Sequence, residues 1–296
     1  VGEIISEKFA PYLEVIIHDL RDPEHSIIAI FNSHITGRKI GDGTSDIGYK
    51  KLANELPDKI VNYENKSPSG TKMKSSSLTL RDERNEIILD KIESAITSRT
   101  KLIFLIHIQY SSELKMPVEA IRKISKDRDI FLLLDGAQAA GNINLDLKEI
   151  DCDFYSIPGQ KWLLGSEGIG ALYIKEHLIS QIETTQVSGR AVLEYDNPGD
   201  LKPNTDSIDK FLLASTSRAL QCGLSQAISF ITDIGIDQIQ QRNLGLASLL
   251  KIRLNEIQGV NVLSSLDENQ SSGLVCFDVT GIDSESLVSN LWDTER

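Results

Sequence analysis

The chain has 296 residues, 40% hydrophobic and 25% charged, an ordinary globular composition long enough for one large α/β domain and a smaller one. Its formal net charge of −12 leaves no basic stripe of the kind that a nucleic-acid-binding face requires. No apolar run approaches the ~18 residues of a membrane span. Residues 1–19 mix acidic with apolar side chains, unlike a secretory leader. The cysteines Cys152, Cys222 and Cys276 are too far apart for a CxxC metal pair, and their odd number argues against a disulfide framework. The composition therefore reads as a protein of a reducing, cytoplasmic compartment with neither a nucleic-acid nor a membrane partner.

In chain order, residues 3–20 carry apolar positions at helical spacing, and residues 26–31 read as a strand. Residues 32–80 are polar and rich in Gly, Ser and Lys; one strand is expected near residues 59–63 and an exposed loop over 67–77. From residue 89 the pattern sharpens. A helix over 89–96 precedes a continuous apolar run at 101–108, which suits a buried parallel strand. Pro117 opens a helix through residue 126, with proline at a tolerated first-turn position. Further strands are expected at 130–134, 154–157 and 169–174. This alternation defines an α/β fold with a mostly parallel sheet flanked by helices.

Residues 189–206, rich in Gly, Pro and Asp, read as a loop. Two long helices follow, near 218–232 and 237–258, then strands at 260–263 and 274–279 and a helix from residue 283. The division expected is a large domain over residues 1–235, irregular in its N-terminal part, and a small C-terminal α/β domain over 236–296. The first residue is Val rather than Met, and the last helix has no strand after it, so both ends read as incomplete.

Chemistry concentrates at two strand ends. Asp135 follows the unbroken apolar run 131–134 and precedes Gly136 and Ala137, so it sits at the carboxyl edge of a buried strand, where ligands bind in open α/β sheets. A carboxylate there needs a cation or hydrogen-bond donors; the plainer reading is a cap for the following turn. Lys161 lies just beyond the next strand, beside Trp162, Leu163 and Leu164. Desolvation by such neighbours would depress its pKa and favour the neutral amine that forms a Schiff base; the plainer reading is a lysine that snorkels to solvent. Together they place an anion and an amine on one rim. Pyridoxal phosphate requires that pair: lysine to hold its aldehyde carbon, carboxylate to keep its ring nitrogen protonated. The five histidines, His18, His25, His34, His107 and His177, show no metal-binding spacing, so no metal site is expected. Each cysteine reads as a small buried hydrophobe.

The run Asp135-Gly136-Ala137-Gln138-Ala139-Ala140-Gly141, followed by Asp153-Phe154-Tyr155-Ser156-Ile157-Pro158-Gly159-Gln160-Lys161-Trp162-Leu163-Leu164-Gly165, resembles the class V aminotransferases, a family that includes cysteine desulfurases and isopenicillin N epimerase-like proteins. The resemblance is specific over residues 101–175, fair over 210–293 and weak before 85. It implies the pyridoxal phosphate transferase fold of type I, with catalytic Lys161 as the Schiff-base lysine, Asp135 as the partner of the ring nitrogen and Gln138 as a donor to the ring hydroxyl. Thr44 and Ser45, in the turn Gly41-Asp42-Gly43-Thr44-Ser45-Asp46, resemble the family's phosphate cradle, and backbone amides at a helix start suit an anion. Gln160 stands where relatives have His, Pro158 where they have Ser or Thr, Ser67 where a ring-stacking residue falls, and Tyr110 where many have Asn near the ring hydroxyl.

Ser215, with Thr216 beside it, resembles a residue that reaches the partner subunit's phosphate, which implies a homodimer with shared sites. The substrate expected is a small amino acid, with aminotransferase, desulfurase and lyase chemistry all open. Arg190 and Arg218 are candidate carboxylate partners, although the family's arginine or cysteine is expected beyond Arg296. The competing reading is a catalytically inactive homologue that serves as a binding or scaffold protein.

Overall fold

The computed structural model describes residues 26–31, 61–66, 72–79, 85–182, 192–197, 200–204, 206–211 and 217–294. Strands β1 (Ser26–Phe31), β2 (Val61–Lys66), β3 (Lys72–Thr79), β4 (Thr100–Ile106), β5 (Phe131–Asp135), β6 (Phe154–Pro158) and β7 (Gly170–Ile174) form a seven-stranded sheet in the order β2-β3-β1-β4-β5-β6-β7. The run β3-β1-β4-β5-β6 is parallel throughout, and both edge pairs, β2–β3 and β6–β7, are antiparallel. Helices α1 (Asn85–Ala95) and α2 (Val118–Lys126) and the single-turn helix α3 (Leu147–Ile150) connect β3, β4, β5 and β6 in turn, and a second single-turn helix, α4 (Glu176–Ile179), follows β7. This is the α/β fold with a mostly parallel sheet that the sequence pattern requires.

The central strands are apolar on both faces because both faces are covered. On β4 and β5, Ile103, Leu105, Leu132 and Leu134 face α1 and α2, packing with Ile88, Ile92, Val118 and Ile121. Their alternate neighbours Leu102, Phe104 and Leu133 face Phe154, Ile174, Leu178 and Phe211. The two-residue period of a strand thus sends one continuous apolar run into two separate cores.

Two expected loops are strands. Lys72–Thr79, which overlaps the segment 67–77 read as an exposed loop, is β3, paired to β1 on one side and β2 on the other. Its Ser-rich composition signals a turn locally, but two neighbouring backbones satisfy its ladder, and that context overrides propensity. Within the Gly, Pro and Asp-rich stretch, β8 (Val192–Asn197) and β9 (Asp200–Pro203) pair as an antiparallel hairpin with Asn197 opposite Asp200. The turn residues there connect strands rather than replace them.

The C-terminal part holds α5 (Arg218–Ile234), α6 (Ile236–Asn255), β10 (Val260–Val262), β11 (Phe277–Val279) and α7 (Ser284–Thr294). Ser217 caps α5 by accepting the Leu220 N–H at 3.4 Å, and Gly235, at φ +92°, makes the break between α5 and α6. The first-turn helix at residues 3–20 lies outside the described residues. Among those described, no helix is long and apolar enough to cross a membrane.

Candidate active site

The parallel register brings Ile106, Asp135 and Ser156 side by side at the carboxyl ends of β4, β5 and β6. The next residues continue the rim: the His107 N–H donates to the Asp135 carbonyl at 2.9 Å, and the Gly136 N–H to the Ser156 carbonyl at 2.9 Å. Asp135 is half-buried. Its Oδ1 accepts the Ala137 N–H at 2.9 Å and the Ser156 hydroxyl at 3.4 Å. Burial pushes its pKa above the usual carboxylate value, opposed by the Ala137 amide, the charge of Lys161 and Ser156. The carboxylate therefore caps the Gly136–Ala140 turn and also responds electrostatically to Lys161; the two readings of this residue coexist.

Gly136 is required here, because a Cβ would fall 2.1 Å from Cε1 of Tyr155. Tyr155 lies beneath the Asp135 turn, fully buried, with its hydroxyl 2.9 Å from Nδ1 of His107. Burial, and then the charge of Lys115, pulls the His107 pKa down to about 3, so its imidazole stays neutral through physiological pH. This His–Tyr pair lies under the rim, and no sequence spacing links residues 48 positions apart.

Lys161 sits on a tight loop closed by three backbone bonds: Gly165 N–H to Gly159 O (2.8 Å), Leu164 N–H to Lys161 O (3.0 Å) and Gly159 N–H to Ile169 O (2.8 Å). Helix α5 leans on this loop, with Leu224 Cδ1 3.2 Å from where a Gly159 Cβ would lie and 2.9 Å from a Gly165 Cβ. One expectation fails here: Lys161 is exposed rather than embedded. Trp162 is half-buried and donates its Nε1–H to Gln138 Oε1 at 2.8 Å.

Gln138 and Gln160 are both half-buried near this rim, and Tyr110 is exposed on the loop after β4, its carbonyl accepting a 3.7 Å contact from Cys276 Sγ. Thr44, Ser45, Ser67, Arg190, Ser215 and Thr216 lie outside the described residues. Arg218 opens α5 and is exposed. The cysteines divide: Cys152 is buried, whereas Cys222 is exposed and Cys276 half-exposed, so the buried-hydrophobe expectation holds for Cys152 alone. Cys222 escapes burial because only Ile231 of α5 is buried. No group of three His, Cys, Asp or Glu side chains converges among the described residues.

A seven-stranded, mostly parallel sheet with an Asp and a Lys at successive strand ends defines an α/β enzyme-like site at the carboxyl edge. The aminotransferase class-V family matches residues 71–295, and the chain belongs to that family. The YheO-like PAS domain matches residues 1–89, a stretch that includes Thr44 and Ser45. Among curated relatives, the isopenicillin N epimerase of Amycolatopsis lactamdurans is 28% identical over 220 residues, covering 71% of this chain and 54% of its own length. A probable cysteine desulfurase of Halalkalibacterium halodurans is 30% identical over 199 residues, covering 66% of this chain and 47% of its own. The chain thus spans about half the length of these relatives. Among solved structures, the apo cysteine desulfurase of Thermococcus onnurineus NA1 superposes with a TM-score of 0.69 at 21% identity, covering 99% of this chain and 69% of that one, a likeness of fold.

Proposed function

We propose that the chain forms the core of a pyridoxal 5'-phosphate enzyme acting on a small amino acid, as an aminotransferase, a desulfurase or a lyase. The observation that carries this reading is the placement of Asp135 at a strand end, Gln138 on the turn it caps, and Lys161 close enough for its charge to act on Asp135. Among the described residues only Oδ1 of Asp135 accepts hydrogen bonds, and its burial favours a cationic partner such as a protonated ring nitrogen. Gln138 has its Oε1 occupied by Trp162, which leaves its amide N–H groups to donate. Lys161 is accessible, and its charge is felt at Asp135. These residues fit the cofactor.

When bound, the cofactor supplies an electron sink for a carbanion at the substrate Cα. Lys161 would hold it covalently and, once displaced by the substrate amine, its freed amine would take the Cα proton. Asp135 would keep the ring nitrogen protonated, and Gln138 would donate to the ring hydroxyl, with Tyr110 beside it. Gln160 would donate to the phosphate. Thr44, Ser45 and Ser215 enter the phosphate site on sequence resemblance, Ser215 across a homodimer interface. Exposed apolar side chains on α5 and α6, among them Ile228, Phe230, Leu249 and Leu250, support that assembly. The free thiols of Cys152, Cys222 and Cys276 support a cytoplasmic setting. The exposed Lys161 amine beside Asp135 favours an active enzyme over a scaffold.

The test is borohydride reduction of the protein after incubation with pyridoxal phosphate, followed by peptide mass mapping. The label is expected on Lys161, and Lys161→Ala should lose both the label and the visible absorbance. A label on another lysine, or an unchanged spectrum in Lys161→Ala, refutes the assignment. Amino-acid turnover by the loaded protein then distinguishes the three reaction types.

A further inference from the structure

We propose that Trp162 is a positioning residue that fixes the flip state of Gln138, so that the amide N–H groups rather than the carbonyl face the Asp135–Lys161 rim. The inference rests on the cofactor reading above and assigns a role to a residue that reading does not use. An amide's oxygen and nitrogen are nearly equal in size, and its terminal torsion is broad and two-fold, so either orientation is sterically available to an unheld glutamine. The indole N–H is a donor only. The Gln138 atom 2.8 Å from Trp162 Nε1 must therefore be Oε1, and Nε2 is turned the other way. A flip would set two donors against each other and forfeit the bond, a preference of roughly tenfold for a hydrogen bond of ordinary strength.

The surroundings hold both partners. The Gln138 backbone carbonyl accepts Asn142 Nδ2 at 3.0 Å, and Asn142 Oδ1 in turn accepts Asn243 Nδ2 from α6 at 3.0 Å. Asn142, at the centre of this relay, is fully buried. Two glycines make room for Trp162. Gly141, at φ +87°, would place a Cβ 2.4 Å from the Trp162 carbonyl oxygen, and a Cβ on Gly273 would lie 3.3 Å from Cη2 of the indole. The tryptophan next to the catalytic lysine is thus spanned by the Asp135 turn on one side and residues beyond α6 on the other. Its hydrogen bond transmits that placement to Gln138, a residue 24 positions away in sequence.

The experiment compares Trp162→Phe, Gln138→Ala, Gln138→Glu and the double variant Trp162→Phe/Gln138→Ala in the full chain. Pyridoxal phosphate affinity is read by equilibrium dialysis, and the bound cofactor's visible absorbance is titrated against pH. Gln138→Ala is expected to weaken binding and move the titration midpoint. Gln138→Glu, which keeps an acceptor for the indole but has no donor for the rim, should behave like Gln138→Ala. Trp162→Phe should move the midpoint in the same direction and weaken binding about threefold to tenfold, and it should have no further effect in the Gln138→Ala background. Equal Trp162→Phe effects in both backgrounds would show that the indole acts through packing alone and overturn the proposal. So would a silent Trp162→Phe beside a defective Gln138→Ala. A silent Gln138→Ala would instead remove Gln138 from the cofactor site, and this inference with it, while Lys161 labelling would still stand or fall separately.

Discussion

Replacing Lys251 by Met isolates one buried charge that joins the two parts of the chain. Lys251, on α6, is 3% exposed in its side chain, and Glu113, on the loop after β4, is fully buried. The Lys251 ammonium donates to Glu113 Oε1 at 2.7 Å, to the Ser265 carbonyl at 2.7 Å and to Ser271 Oγ at 3.0 Å. Glu113 Oε1 also accepts the Ser272 N–H at 2.7 Å, whereas Oε2 has no hydrogen-bond partner among the described residues. Methionine fills nearly the same volume as lysine, so packing changes little and the loss is electrostatic. Glu113 would keep one amide donor and no counter-charge. Breaking a buried pair in this way costs about 3–5 kcal/mol, or a fall in Tm on the order of 10 °C for a domain of this size. Glu113→Gln should cost a similar amount by stranding the ammonium. The double variant should recover much of the loss, because neither buried charge then remains. Urea unfolding of the four proteins gives the coupling directly. A Lys251→Met cost under ~1 kcal/mol, or single losses that simply add, would refute the view that this pair is desolvated and mutually dependent.

Three further outcomes follow from the same structure. Gly136→Ala should destabilise the protein by about 1–3 kcal/mol and weaken cofactor retention, because the new Cβ meets the buried Tyr155 ring 2.1 Å away; thermal melting and dialysis measure both. Asp151 is held well below the usual carboxylate range first by the Lys175 bond at 2.5 Å and then by Lys126 and Arg122, so it contributes stability above the unfolded pKa near 3.8 that is lost as pH falls through its lower folded value. Asp151→Asn should therefore destabilise the protein at pH 7 by about 0.5–1 kcal/mol after solvent screening of this partly exposed group, and the gap to wild type, read by urea unfolding, should close in acid below that window. Among the thiols, Cys222 should react rapidly with an aromatic disulfide and Cys152 not at all, since burial pushes the Cys152 thiol up to about 12; fast modification of Cys152 would contradict its enclosure.

The apolar runs that became β4, β5 and β6 were legible because a strand covered on both faces has no polar side to interrupt it. Legible with them were the positions of Asp135, which ends such a run, and of Lys161, in the loop after one, and family membership, because the motif around them is local and continuous. By contrast β3 and the β8–β9 hairpin were misread: their Ser, Gly and Pro content points to loops, and only partner strands supply the ladder that fixes them. Long-range partners also explain what the sequence concealed. The Trp162 indole is held by Gln138, 24 positions away, and lies against Gly273, contacts that no local pattern announces. The Glu113–Lys251 pair joins residues 138 positions apart, and no spacing rule links them. The sequence by itself determined which strand ends present Asp135 and Lys161, since that follows from periodicity and local motif. The tertiary structure alone decided their electrostatic state and orientation, since desolvation and hydrogen-bond direction depend on neighbours that the chain brings in from far away.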